Sequence, residues 1–251
     1  MNLLGLLAFV ALSGGAYAIE AGKDQSNSQV QFGYAIDLVN FTSIQSYNCL
    51  RQKGYTYAFI GVYHPVGDGS VLPRAAANIQ NAVTGGFHVF PYFLPQPQSR
   101  KSGAQQLGEV IEYLGTYKLY TKQIWLQVTS PINWPNNKQG NVAFISGILQ
   151  AANRYNVKVG IYTNWYDWEQ ITGNWRLDGH QLWYWSVFGT GFNAESAPNV
   201  DDFRPFAGFT HSHGAMKQYG IGLYDCQANF NRNIFVSQNA KFAGESVALK
   251  Q

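Results

Sequence analysis

Charge is what this 251-residue chain has least of: Asp, Glu, Lys and Arg together make up 12% of it, with a formal net charge of +3. With 46% apolar residues as well, the composition is that of a folded chain, because disorder needs high charge and little to bury. No Lys/Arg run occurs, so nucleic-acid binding has no electrostatic footprint. The slight positive balance leaves only a weak pull toward anionic polymers. No CxxC or HxxxH spacing exists, so no metal site is expected. No Gly-rich phosphate loop follows the first predicted strand, which argues against a dinucleotide fold, and no cofactor is expected. After residue 18 no apolar run approaches the ~20 residues of a membrane span.

Cysteine is nearly absent too, with only Cys49 and Cys226. The start of the chain gives that pair a context. Leu3 to Leu12 is apolar and Ala16-Tyr17-Ala18 has the small-x-small form of a cleavage site, so residues 1–18 are read as a signal peptide. Residues 19–30 are read as a polar lead-in. The expected location is outside the cell, or the lumen of a secretory or lysosome-like compartment. In a secreted chain an even cysteine pair suggests a disulfide; two free buried thiols are the alternative. Asn40-Phe41-Thr42 is an N-glycosylation sequon.

Strand and helix signals alternate along the rest. Strands are expected at 32–38, 57–63, 88–93, 124–128, 158–162, 182–187, 206–210 and 215–219. Helices are expected at 42–54, 73–83, 102–114, 142–155 and 165–171. Ser/Thr caps and Gly stops mark several ends, and Leu107, Val110, Ile111 and Leu114 carry the helical period. Alternation of this kind implies a parallel sheet. Eight strands favour an α/β fold of the irregular (β/α) TIM-like barrel kind, with about eight strands and five helical connections. No linker or repeat interrupts it, so 31–235 is read as one domain followed by a tail, 236–251. A monomer is expected.

Barrel chemistry sits at the C-terminal ends of strands. Those ends carry Asp37, Tyr63, His64, Phe93, Gln127, Thr129, Tyr162, Asn164, Trp185, Gln218 and Tyr219. Asp37 is the one carboxylate among them. The remainder is a rim of rings and amides, which suits sugars: apolar sugar faces stack on rings and amides match hydroxyls. Tyr63, Phe93, Asn164, Trp165, Trp185 and Gln218 are the candidate sugar-binding residues, although packing alone also accounts for any single ring. His211 and His213 read as a loop pair.

Four ordered motifs carry a resemblance: Tyr34-Ala-Ile-Asp37-Leu-Val, Ile124-Trp-Leu-Gln-Val-Thr-Ser-Pro131, Val159-Gly-Ile-Tyr-Thr-Asn-Trp165 and Lys217-Gln-Tyr-Gly220. With the closing Asn229-Phe-Asn-Arg-Asn233-Ile-Phe235, they make the chain resemble glycoside hydrolase family 25 lysozymes, in particular the invertebrate, nematode-type lysozyme-like proteins. The resemblance spans Gln31 to Phe235. It implies a flattened barrel, a bacterial cell-wall glycan as partner, and cleavage between N-acetylmuramic acid and N-acetylglucosamine. Of the working carboxylates it implies, the first-strand Asp matches Asp37. The fourth-strand Asp-x-Glu pair falls on Gln127 and Thr129, and the Asp of the closing segment on Asn231, with Asn229 and Asn233 close by. The basic residue implied for the second strand falls on Gly61.

Glycoside cleavage needs a proton donor for the leaving oxygen, and neither Gln nor Thr is one near neutral pH. The expectation is a secreted lysozyme-like protein of innate defence, with muramidase activity lost or strongly reduced. Two alternatives stay open. One is an active muramidase using Asp37 with a relocated acid, for which Asp68, Asp167 and His64 are candidates. The other is a non-enzymatic, protein-binding role.

Overall fold

The computed structural model describes residues 31–210, 216–236 and 246–249. The signal peptide, the lead-in, His211 and His213 lie outside the described residues.

Eight strands close a barrel: β1 (Phe32–Leu38), β2 (Tyr55–His64), β4 (His88–Phe93), β6 (Gln123–Gln127), β7 (Lys158–Thr163), β8 (Leu182–Trp185), β9 (Met216–Asp225) and β10 (Ala228–Val236). Neighbours pair in the order β1-β2-β4-β6-β7-β8-β9-β10, and β10 returns to β1. All these pairings are parallel except those of β10, which runs antiparallel to both β9 and β1. Two short pieces lie outside the ring. Strand β3 (Ser70–Val71) hairpins onto β2, and β5 (Leu119–Tyr120) pairs with β11 (Ala248–Leu249). Residues 246–249 therefore dock against the barrel: Val247 is buried and its N–H donates to the Val89 carbonyl.

The strand count matches expectation, but one member differs. Residues 206–210 form no strand; Phe206 and Phe209 make a single bridge around a turn in which Ala207 and Gly208 have positive φ. The eighth strand is β10, a segment whose asparagines disguise it, because Asn is poor in strands unless its side chain finds partners. Here it does: Asn231 and Asn233 turn inward and bond to other lumen groups.

Five helices surround the ring: α1 (Ile44–Gln52), α2 (Ala75–Thr84), α3 (Gly103–Thr116), α4 (Lys138–Arg154) and α5 (Trp165–Thr172). Local chemistry sets their ends. Ser43 caps α1, and Ser102 with Gln105 makes a reciprocal capping box on α3. Asn137 starts α4 four residues earlier than the apolar period indicates, and Asn164 caps α5 by accepting from the Asp167 N–H at 2.8 Å. Gly173 ends α5 at φ +70, in the left-handed region where a Cβ is costly.

Strand alternation divides the core in two. Outward side chains such as Ile36, Ile60, Val89, Ile124 and Ile161 pack under the helices. Inward ones fill the lumen, mostly with rings: Tyr57, Phe59, Phe90, Tyr92, Trp125, Tyr162, Trp183 and Phe235. Trp125 fits only because its neighbour on β7 is Gly160; a Cβ there would lie 2.5 Å from the indole. The lumen is thus a packed aromatic core rather than a pore, and polar groups are left for its ends.

Cys49 on α1 is bonded to Cys226 at the β9–β10 turn, with Cα atoms 5.8 Å apart and a separation of 177 positions in sequence. Lys53 and Asp225 pair beside the bond. Among the described residues no helix is long and apolar enough to cross a membrane.

Candidate active site at the barrel mouth

Asp37 is the inward residue near the C-terminal end of β1, and it is 2% exposed. Three side-chain amides close over its carboxylate. Gln218 Nε2 and Asn233 Nδ2 donate to Oδ1 at 2.7 and 2.8 Å, and Asn231 Nδ2 donates to Oδ2 at 2.8 Å. The orientation of two of these amides is dictated by neighbours that can only donate. The Gly222 N–H donates to Asn231 Oδ1 and Trp183 Nε1–H to Asn233 Oδ1, so both amide nitrogens must face Asp37. Burial raises the Asp37 pKa above its usual 3.8, against the lowering effect of the bonds from Asn233, Gln218 and Asn231.

The network runs on across the lumen. Tyr162 Oη donates to Gln218 Oε1 at 2.7 Å. Tyr162 is also the register partner of Gln127 at the end of β6. Gln127 is half-buried, and its Nε2 donates to Thr129 Oγ1 at 2.9 Å. The two residues standing where acid chemistry was expected therefore satisfy each other. Asp37, Gln127, Thr129 and Asn231 gather at one end of the barrel, and of the four only Asp37 can ionise as an acid. Among the three asparagines of the closing segment, Asn231 and Asn233 face the carboxylate, whereas Asn229 is exposed.

A second carboxylate reaches the rim from α5. Asp167 is 3% exposed and accepts from Trp185 Nε1 at 2.9 Å. The backbone N–H of Ser130, next to Thr129, also bonds to it. Burial raises its pKa, opposed by the Trp185 and Ser130 bonds. Ser130 itself sits at φ +58, a costly conformation for a residue with a Cβ. The remaining candidates are committed elsewhere. Asp68 is exposed and paired with Arg100. Glu169 is exposed. His64 bonds to Ser70 and to the Val66 N–H within the β2–β3 hairpin.

The sugar-binding candidates divide. Asn164, Trp165 and Trp185 line one cavity at the mouth, together with Ser186, Asp202 and Arg204. Tyr63 and Phe93 do not join them: both are buried under the helices, where their rings meet edge to face and Tyr63 Oη donates to Glu109 on α3. Phe93 is on the outward face by alternation with Phe90 and Tyr92, whereas Tyr63 shares the inward parity of Tyr57 and Phe59 and is turned outward by the register shift after Gly61. Gln218 is buried in the Asp37 network instead of facing the cavity. Asp202 and Arg204 were not among the sequence candidates, and Tyr162 and Asn233, named at a strand end and in the closing segment, had been given no role there. The period-two spacing of Asn229, Asn231 and Asn233 was the available signal for inward asparagines. Nothing local marks Arg204, whose loop is placed by tertiary contacts. Asn40 is exposed just after β1, and its carbonyl accepts from Thr42 Oγ1. Among the described residues no three His, Cys, Asp or Glu side chains are grouped to hold a metal ion.

Relatives share this architecture. The profile of a family described as Lysozyme-like protein 1 matches residues 28–219. Lysozyme-like protein 7 of Caenorhabditis elegans is 37% identical over 228 residues, covering 90% of this chain and 80% of that protein. Probable GH family 25 lysozyme 5 of Dictyostelium discoideum is 30% identical over 203 residues, covering 79% and 88%. A family GH25 lysozyme from Aspergillus fumigatus superposes with a TM-score of 0.62 at 13% identity, over 86% of this chain and 99% of that one. The bacterial lysozyme from Streptomyces coelicolor gives 0.59 at 19% identity, over 85% and 96%; these two likenesses speak for the fold alone. The chain belongs to glycoside hydrolase family 25, among its lysozyme-like proteins.

Proposed function

We propose that this protein binds bacterial peptidoglycan or a related amino-sugar polymer at the barrel mouth as a secreted defence protein, with muramidase activity lost or strongly reduced. The observation that carries this reading is the Gln127–Thr129 hydrogen bond at the end of β6. A leaving glycosidic oxygen must be protonated as its bond breaks, and this pair holds no acidic proton. Acid–base assistance is worth about 10²–10⁴-fold per group. Asp37 does not replace it, because both of its oxygens already accept amide N–H bonds and almost none of it is exposed. Binding needs none of the lost acid; rings and amides at the rim supply shape and hydrogen bonds. A glycan on exposed Asn40 would lie beside this mouth.

Two measurements test the proposal together. Clearing of a peptidoglycan suspension should be far slower than with a relative that keeps the Asp-x-Glu pair, and Gln127→Asp/Thr129→Glu should raise it by about 10²-fold or more. Insoluble peptidoglycan and chitin should retain wild type and Asn40→Gln, and retain Trp185→Ala less. No retention of wild type or Asn40→Gln would leave protein binding as the better account.

A second reading rests on Asp167, whose buried carboxyl has the raised pKa a general acid needs and bonds to the N–H next to Thr129. It is established instead if wild type clears peptidoglycan at a relative's rate and Asp167→Asn abolishes that clearing.

A further inference from the structure

Large apolar side chains are exposed in a pattern. Among the described residues, every one that is not a tyrosine follows the C-terminal end of a barrel strand: Val39 and Phe41 after β1, Val66 after β2, Ile132 after β6, Trp165 after β7, and Phe188 and Phe192 after β8. These loops all lie at the mouth end. The other exposed large apolar side chains are tyrosines, among them Tyr117, Tyr120 and Tyr155 at the opposite end, and a tyrosine keeps a hydrogen-bonding hydroxyl in water. Single exposed apolar residues are ordinary on a protein surface; their confinement to one end is not.

These tips stand proud of the mouth rather than lining it. Ile132 is 90% exposed, Phe188 82% and Val66 71%. Of the tips, Trp165 alone lines either of the two cavities there, one beside Arg204 and the other between the Leu94–Gln98 loop and Trp134. Stacking on a sugar needs a ring face, which Val39, Val66 and Ile132 lack. A protein partner needs a contiguous apolar core, whereas these tips rise from separate loops, with the polar Gln127–Thr129 pair at the same mouth. A fluid phase closes around separate tips; a rigid partner does not.

Charge points the same way. Arg74 Cζ lies 3.6 Å from the centroid of the Phe41 ring and Arg204 Cζ 4.4 Å from that of Trp165, and among the described residues neither arginine makes an ion pair. Carboxylates on this side are mostly occupied: Asp68 by Arg100, Asp202 by Lys217 and Glu195 by Arg232, while Asp167 is buried. The exposed Asp201 and Glu169 are outnumbered by the exposed Arg74, Lys138 and Arg204.

We infer that the mouth end of the barrel is an interfacial surface that seats its apolar loop tips in a phospholipid bilayer bearing anionic headgroups. Insertion is shallow, because the loops carry backbone polar groups that hydrocarbon does not satisfy. The tips reach the boundary of headgroups and acyl chains. The two ring-bound guanidiniums then lie at the level of the phosphates, which they match with paired N–H bonds. This surface does not depend on the glycan-binding reading above.

The test is co-sedimentation of the protein with vesicles of equal parts phosphatidylcholine and phosphatidylglycerol. All proteins carry Asn40→Gln, so that no glycan stands between Val39 and Phe41. This parent should bind. Adding Ile132→Ser and Phe188→Ser should weaken partitioning about tenfold or more, whereas adding Tyr117→Ser and Tyr155→Ser should leave it unchanged. Adding Arg74→Gln and Arg204→Gln should weaken it roughly fivefold per charge. Pure phosphatidylcholine should bind the parent more weakly, and salt should close that gap. Every changed side chain is exposed, and melting temperatures check folding. No sedimentation of the parent, equal binding to both kinds of vesicle, or binding that Ile132→Ser with Phe188→Ser leaves intact overturns the inference. If vesicles are not bound and those two changes instead abolish self-association or retention on peptidoglycan, the tips serve a second copy or the glycan, and the inference fails.

Discussion

Replacing Asp37 by asparagine keeps the shape of the side chain and inverts the polarity of one terminal atom. The structure says which contact suffers. An asparagine can keep its carbonyl on the side where Gln218 and Asn233 converge, but its NH₂ then faces the Asn231 amide, which cannot turn without losing the bond from Gly222. One charge-assisted bond, about 1.5–3 kcal/mol, becomes a donor–donor contact with an unsatisfied N–H, about 1–3 kcal/mol more. Relief of a buried charge offsets part of this. A net loss of about 2 kcal/mol near neutral pH is expected, or roughly 4–8 °C in melting temperature for a chain of this size.

The pH dependence follows from the raised pKa of Asp37. A folded-state value above 3.8 means the folded protein holds this proton more tightly than the unfolded chain. The cost of burying the charged form is therefore present above the folded value and is relieved as pH falls through it toward 3.8. Asparagine does not titrate, so the stability gap between wild type and Asp37→Asn should widen on acidification. Urea unfolding of both proteins from about pH 7.5 down to about pH 4 measures it. A gap that narrows would show that the three amides outweigh desolvation and hold the pKa down. A variant as stable as wild type at neutral pH would refute the claim that the donors are locked.

Two further outcomes are expected. Cys49→Ala/Cys226→Ala opens a 177-residue loop and should cost up to about 5 kcal/mol in the chain-entropy model, read as a lower urea midpoint that wild type matches only under reduction. Gly160→Ala should destabilise by about 1–3 kcal/mol and shift tryptophan fluorescence, because the new Cβ would lie 2.5 Å from the Trp125 ring; an unchanged melt would show that the lumen is loosely packed.

Much of the barrel was legible because it is written in local chemistry. Strand β4 spans His88–Phe93 as expected, since a short aromatic run bounded by a Gly pair and a Pro loop has little else to do. Helix α3 starts where Ser102 and Gln105 form their box. Strand β10 was not legible as a strand, because its asparagines are tolerated only through partners on the neighbouring β9 and on β1 and β8, the last two far away in sequence. The Phe206–Thr210 segment has strand-like residues, but a turn with two positive-φ residues breaks it.

The site divides along the same line. That residues 127 and 129 are an amide and a hydroxyl, and that residue 37 is a carboxylate, are properties of residue identity, which no folding can change. Whether Asp37 is free or caged, whether Tyr63 faces the mouth or a helix, and which loop brings Arg204 onto Trp165 are different questions. They depend on which face of a strand is turned inward and on contacts between residues up to 196 apart in the chain. Ionisable chemistry is inherited residue by residue from the sequence, whereas exposure, orientation and partnership exist only once distant segments are packed together.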